Sequence, residues 1–169
     1  PHTYNMDPAC LEKVLKEAAA RNEKLAAIIV VHAFGLMADM PAITRLAPEH
    51  GIPIIEDAAC ALGARIEDRP AGSWGKMGCF SFHPRKAITT GEGGLISTDD
   101  RAHARLLRAL RNHGLDPESA TPEFILPGFN YRLTEFQGAL GLSQVARFDC
   151  ITEARRRQAA AVHDLGVGV

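Results

Sequence analysis

Lys86 lies in the run Ser81-Phe82-His83-Pro84-Arg85-Lys86-Ala87-Ile88-Thr89-Thr90-Gly91-Glu92-Gly93-Gly94, and Asp57 closes an apolar, strand-like run upstream of it. A lysine presented just beyond a strand, with a carboxylate at a neighbouring strand end, suits pyridoxal phosphate chemistry. The amine forms a Schiff base with the cofactor's aldehyde, and the aspartate keeps the pyridine nitrogen protonated so that the ring accepts electrons. The opposite charge favours that protonated ring. Spacing alone does not decide the matter. Many lysines that follow strands are merely solvated, and an aspartate in such a place more often caps a helix.

Three longer words, in order, add specificity. They are Ile54-Ile55-Glu56-Asp57-Ala58-Ala59-Cys60-Ala61-Leu62-Gly63-Ala64, the Lys86 segment, and Gly128-Phe129-Asn130-Tyr131-Arg132-Leu133-Thr134-Glu135-Phe136-Gln137. Earlier come Thr3-Tyr4-Asn5-Met6-Asp7-Pro8 and Val31-His32-Ala33-Phe34-Gly35. Together they resemble the DegT/StrS family of pyridoxal-phosphate-dependent sugar aminotransferases, and the resemblance runs through nearly the whole chain.

That resemblance implies part of the large domain of a fold-type-I, aspartate aminotransferase-like enzyme. Its implied reaction moves an amino group from glutamate to a keto-sugar, usually nucleotide-linked, with a cyclitol ketone as a further acceptor class. Lys86 would hold the cofactor aldehyde and relay a proton, Asp57 would face the ring nitrogen, and Ser81 would hold the phosphate. The plainer reading of Ser81 is a local hydroxyl bond. Many members carry glutamine where this chain has Cys60, to bond the cofactor's ring oxygen; a thiol is a weaker donor there. Asn130 would reach the cofactor phosphate of a neighbouring subunit, which implies a homodimer with shared sites, although asparagine also suits a left-handed turn. His32, His83 and Arg132 are candidates for meeting substrate. Their plainer readings are a satisfied polar group, a turn-shaping residue and a surface arginine. A second group in the family has histidine at the lysine position and acts as sugar dehydratases; Lys86 favours aminotransfer. Members are longer than this chain. The expectation is therefore an internal fragment, with residues 1–150 forming a partial cofactor-binding large domain and residues 151–169 a helix leading towards a small C-terminal domain. An incomplete or degenerate member, inactive by itself, is the alternative.

The elements that position these residues read as α/β and mostly parallel. Asp7 can cap a helix starting at Pro8, with Leu11, Val14, Leu15 and Ala18 at helical spacing. The apolar runs 26–31 and 52–55 suit strands buried on both faces, with a helix over 39–50 between them as in a right-handed crossover. Short strands follow at 79–82 and 95–98. Asp99 or Asp100 caps a helix to about residue 112, and a proline-containing loop spans 116–128. Thr134 with Gln137 forms a capping-box spacing, opening a helix that runs on towards Arg157. Gly166-Val167-Gly168-Val169 carries no stop signal. In open parallel sheets ligands bind beyond the carboxyl ends of strands, so Asp57 and the Ser81–Lys86 loop fall on one rim.

Bulk properties narrow the class. The 169 residues are 46% hydrophobic with a net charge of −1, which gives no reason to expect nucleic acid or a membrane surface as partner. No apolar run approaches the roughly 20 residues of a membrane-spanning helix. Pro1-His2-Thr3-Tyr4-Asn5 lacks the regions of a signal peptide. Cys10, Cys60, Cys79 and Cys150 are scattered and read as buried, reduced thiols in a cytoplasmic protein. No zinc pattern is present. Ala71-Gly72-Ser73-Trp74-Gly75 nearly matches a nucleophile elbow, but the polar, proline-broken residues before it are the wrong context. The arginines 101, 105, 108 and 155–157 read as solvated or interface faces.

Overall fold

The computed structural model describes residues 3–164. Asp7 accepts the Ala9 N–H at 2.8 Å and caps α1 (Pro8–Ala20), as its position before a proline predicts. There follow β1 (Ile28–Val31), a single 3-10 turn (Ala33–Gly35), α2 (Met40–Glu49), β2 (Ile54–Asp57), a small hairpin of β3 (Arg65–Ile66) and β4 (Arg69–Pro70), β5 (Met77–Ser81), β6 (Gly94–Ser97), α3 (Arg101–Leu110), α4 (Glu135–Val145) and α5 (Phe148–Asp164).

The main sheet has the order β1-β2-β5-β6. The first three strands are parallel, and β6 returns antiparallel to β5. Leu11, Leu15 and, from α2, Met40, Ile43 and Ala47 pack on Ile28, Val30 and Ile54 to form the core. The expectation that β1 is buried on both faces is not met. Ile29 is 60% exposed and Val31 48% exposed, because α1 and α2 both pack against the opposite face. Val14 likewise points outward from α1.

Other sequence expectations are corrected in detail. Of the cysteines, all free, Cys10, Cys60 and Cys150 are exposed and Cys79 is half-buried; Cys10 and Cys150 lie on the outer sides of helices rather than in a core. The helix opened by Thr134 does not run unbroken. Its capping box forms, but the chain tightens at Arg147, whose N–H reaches the Gln144 carbonyl at 3.1 Å. The Phe148 ring then seats against Gly63 and opens α5. Cys150 lies in the first turn of α5. Residues 165–169, including the Gly166–Val169 run, lie outside the described residues. The β3–β4 hairpin has no clear sequence signal, since its turn places Glu67 at φ 52°.

Loop 116–128 is tied back at the bridge Leu115–Phe124, and Arg105 of α3 forks onto the Asp116 carboxylate. That pair accounts for one of the arginines 101, 105 and 108. It raises the Arg105 pKa and holds the Asp116 carboxyl below its ordinary value, each chiefly through their mutual hydrogen bond. Gly114 sits at φ +84°, and a Cβ there would lie 1.7 Å from the Leu126 carbonyl oxygen. This close crossing lets residues 129–131 run beside 110–113, with Phe129 N–H on the Leu110 carbonyl and Tyr131 N–H on the Arg111 carbonyl.

Candidate active site

β2 and β5 are neighbours, with Asp57 in register with Cys79. Asp57 is the last residue of β2 and Ser81 the last of β5, so both stand at the carboxyl rim, where ligands of parallel sheets bind. Asp57 Oδ1 accepts the Ala59 N–H at 3.1 Å. This bond starts the turn 58–61 that carries Cys60. From the other strand, Lys86 donates its backbone N–H to His83 O at 2.9 Å, and its Nζ donates to Cys60 Sγ at 3.0 Å. The Lys86 carbonyl accepts Arg155 Nη2 at 3.3 Å, so α5 touches the lysine loop. Lys86, Cys60, Asp57 and Ser81 therefore share one end of the sheet.

Ser81 Oγ accepts the His83 N–H at 3.3 Å, and His83 Nδ1 accepts the Arg85 N–H at 3.3 Å. Both shape the turn that leads to Lys86. His83 Nε2 comes to 4.0 Å from Glu92 of the glycine-rich segment. Asn130 and Arg132 group elsewhere. Asn130 bridges to Asn112, and Arg132 Nη1 donates to Asn112 Oδ1 at 2.7 Å; both side chains are exposed at the end of α3. A cleft of about 1210 Å³ lies near them, between β5–β6, α3 and Phe129, Tyr131 and Leu133. It is lined by none of Lys86, Asp57 or Ser81.

His32 corrects an expectation. Its place at the end of β1 makes it a candidate for meeting substrate, but it is only 1% exposed. Its Nε2 donates to Glu56 Oε2 at 3.0 Å and its Nδ1 accepts the Ala38 N–H at 3.2 Å. Both ring nitrogens are engaged inside the protein, which leaves nothing to offer a substrate.

Glu56 is the residue that sequence reasoning passes over. It is fully buried and accepts the N–H groups of Gly72 at 2.7 Å, Trp74 at 2.6 Å and Gly75 at 2.7 Å, besides His32. Burial by itself raises its pKa. The His32 bond and the three backbone donors outweigh burial and hold the carboxyl below its ordinary value. The 71–75 segment is thus a nest around a carboxylate, not a nucleophile elbow; Ser73 Oγ donates to the Pro70 carbonyl at 2.7 Å. A signal existed. Glu56 shares its strand face with Ile54, so period-two alternation turns a carboxylate inward, where it must find donors.

The comparisons with known proteins bear on this arrangement. A model of the DegT/DnrJ/EryC1/StrS aminotransferase family matches residues 1–165, and the chain belongs to that family. It is 42% identical over 157 residues to the GDP-perosamine synthase of Caulobacter vibrioides, covering 93% of this chain and 40% of that protein. It is 41% identical over 177 aligned positions to the L-glutamine:2-deoxy-scyllo-inosose aminotransferase of Micromonospora echinospora, covering 99% of this chain and 40% of that protein. Among solved structures, a DegT DnrJ EryC1 StrS aminotransferase from Brucella abortus superposes with a TM-score of 0.84 at 33% identity, over 96% of this chain and 44% of that one. The α/β fold, with its mostly parallel sheet flanked by helices, is therefore part of a fold-type-I aminotransferase large domain. The chain spans about 40% of the length of these curated relatives.

Proposed function

We propose that this chain is part of a pyridoxal-phosphate-dependent aminotransferase that moves an amino group from glutamate to a keto-sugar, usually nucleotide-linked. The observation that carries the reading is the placement of Lys86 and Asp57 at one end of adjacent parallel strands, with the Lys86 amine held 3.0 Å from Cys60 on the turn that Asp57 starts. The residues fit the cofactor's three demands. Lys86 offers a primary amine for the aldehyde, Asp57 a half-buried carboxylate for the ring nitrogen, and Ser81 a hydroxyl for the phosphate. When bound, the cofactor supplies an electron sink that makes the substrate's Cα–H acidic.

The chain's own part is holding and proton transfer. Lys86 Nζ sits on a short turn pinned at both backbone ends, so its amine reaches over the rim as a base. Cys60 Sγ holds that amine at 3.0 Å, and as a weak donor it stands where glutamine in many family members bonds the cofactor's ring oxygen. We further propose that Asn130, exposed and distant along the chain from Lys86, serves the phosphate of a partner subunit in a cytoplasmic homodimer. His83 and Arg132 stay candidates for substrate contact, and α5 leads towards a smaller domain.

The test is borohydride reduction after incubation with pyridoxal phosphate, followed by peptide mapping. Label on Lys86 in preference to Lys13, Lys16, Lys24 and Lys76 is the expected result; scattered or absent label would sink the reading for this chain. In the longer protein, Lys86→Ala is expected to abolish amino transfer from glutamate with the fold intact. Mass spectrometry of the product separates the dehydratase alternative, which would show loss of a hydroxyl and no gained nitrogen.

A further inference from the structure

We propose that His32 and Glu56 are positioning residues for Asp57, acting from the opposite face of β2. The proposal rests on the reading of Asp57 as the carboxylate that meets the cofactor's ring nitrogen. Consecutive side chains on a strand point to opposite faces, so any roll of the strand end that moves one moves the other. Glu56 is anchored on the covered face by His32 Nε2 and by the N–H groups of Gly72, Trp74 and Gly75. Asp57 stands on the open face, one residue on.

His32 grips both residues. Its Nδ1 accepts the Ala38 N–H at 3.2 Å, which leaves the ring proton on Nε2 to donate to Glu56. Its backbone N–H donates to the Asp57 carbonyl at 3.1 Å. On the β5 side, the Ala58 N–H donates to the Cys79 carbonyl at 2.9 Å. The nest itself rests on β5, since a Cβ on Gly78 would come 2.2 Å from Gly72 Cα. The end of β2 is clamped in roll by the Glu56 nest and in height by its two neighbours. An aspartate that must hold one direction towards a ring nitrogen needs such a support.

A purely structural role would lower stability and leave the chemistry of the folded protein alone. The test uses the full-length enzyme loaded with pyridoxal phosphate. Absorbance of the Lys86-bound cofactor is titrated against pH in the wild type, His32→Leu, His32→Gln, Asp57→Asn and the double variant His32→Leu/Asp57→Asn, with thermal unfolding measured in parallel. Gln keeps one donor and one acceptor; Leu keeps neither. Cys79 beside Asp57, and Cys60 and Lys86 beyond the strand ends, are unchanged throughout.

His32→Leu is expected to move the midpoint in the same direction as Asp57→Asn by about 0.5–1 pH unit, a three- to tenfold change in protonation ratio. His32→Gln stays near the wild type, and His32→Leu adds nothing when Asp57→Asn is already present. Unchanged midpoints in His32→Leu, or an equal shift in the presence of Asp57→Asn, would overturn the proposal while the cofactor reading stands. If His32→Leu does not fold, Glu56→Gln is read against the same criterion. Absence of a cofactor band on wild-type Lys86 would remove the cofactor reading and this proposal with it.

Discussion

At the scale of residues, the thiols give the sharpest contrast. Cys79 lies beside Asp57 on the sheet, and burial first and the Asp57 charge second push its pKa up. Cys10, Cys60 and Cys150 are exposed. Alkylation by iodoacetamide at neutral pH is therefore expected to spare Cys79 while the other three react, because the thiolate is the nucleophile; equal rates by peptide mapping would contradict this. Cys60 has a second consequence. Its sulfur is 3.0 Å from Lys86 Nζ, so a carboxamidomethyl group on Cys60 would occupy the space in front of the amine. Prior alkylation is expected to cut pyridoxal phosphate labelling of Lys86 several-fold, and Cys60→Ser to remove that sensitivity. Sensitivity that persists in the serine variant would show that the block acts elsewhere.

At the scale of elements, the Glu56 nest joins β2 to the loop before β5, and its worth depends on pH. A carboxyl whose pKa is lower folded than unfolded stabilises the fold above its unfolded value, and that contribution fades as pH falls through the folded value. Glu56→Gln removes that dependence and leaves buried donors facing an amide. Its expected cost is about 3 kcal/mol at neutral pH, shrinking on acidification; denaturant midpoints at pH 7 and in mild acid would show it. Glycines give an opposed pair. Gly114→Ala places a Cβ 1.7 Å from the Leu126 carbonyl at φ +84°, so it is expected to cost more than about 1 kcal/mol. Gly138→Ala, in α4 with nothing within 4 Å of its Cβ, is expected to stabilise by roughly 0.5–1 kcal/mol. A Gly114→Ala change that stabilises, as Gly138→Ala is expected to, would mean that the crossing at Gly114 is not rigid. Local rules made much of this legible beforehand. The caps at Asp7, Asp100 and Thr134 act between near neighbours, and the rim position of Asp57 and Ser81 follows from where apolar runs end. What stayed hidden is non-local. The inward Glu56 needs donors from the 72–75 loop, and the break at Arg147 accompanies the packing of Phe148 on Gly63, far away in the chain.

At the scale of the whole molecule, the sheet is covered on one side and open on the other at β1, and is exposed on both sides at β6, where consecutive residues face opposite ways. Ile29 and Val31 on the edge strand β1 are 60% and 48% exposed, and Leu95 and Ile96 on β6, at the opposite edge, are 49% and 47% exposed. Apolar β-branched strand residues read from sequence as two-sided burial, yet α1 and α2 supply cover for one face alone. Edge strands with unpaired backbone groups beside exposed apolar side chains favour association with another chain. The isolated 169-residue chain is therefore expected to elute from gel filtration above its 18.3 kDa mass, with the excess growing with concentration. Ile29→Thr combined with Val31→Thr keeps strand-forming residues while removing apolar surface. The pair is expected to shift the chain towards the monomer without changing its circular dichroism. A wild-type chain that stays monomeric at every concentration would mean that the open face needs no cover. Elution unchanged by the paired substitution would place the sticking surface elsewhere, with exposed Phe136 and Leu142 of α4 the next residues to replace.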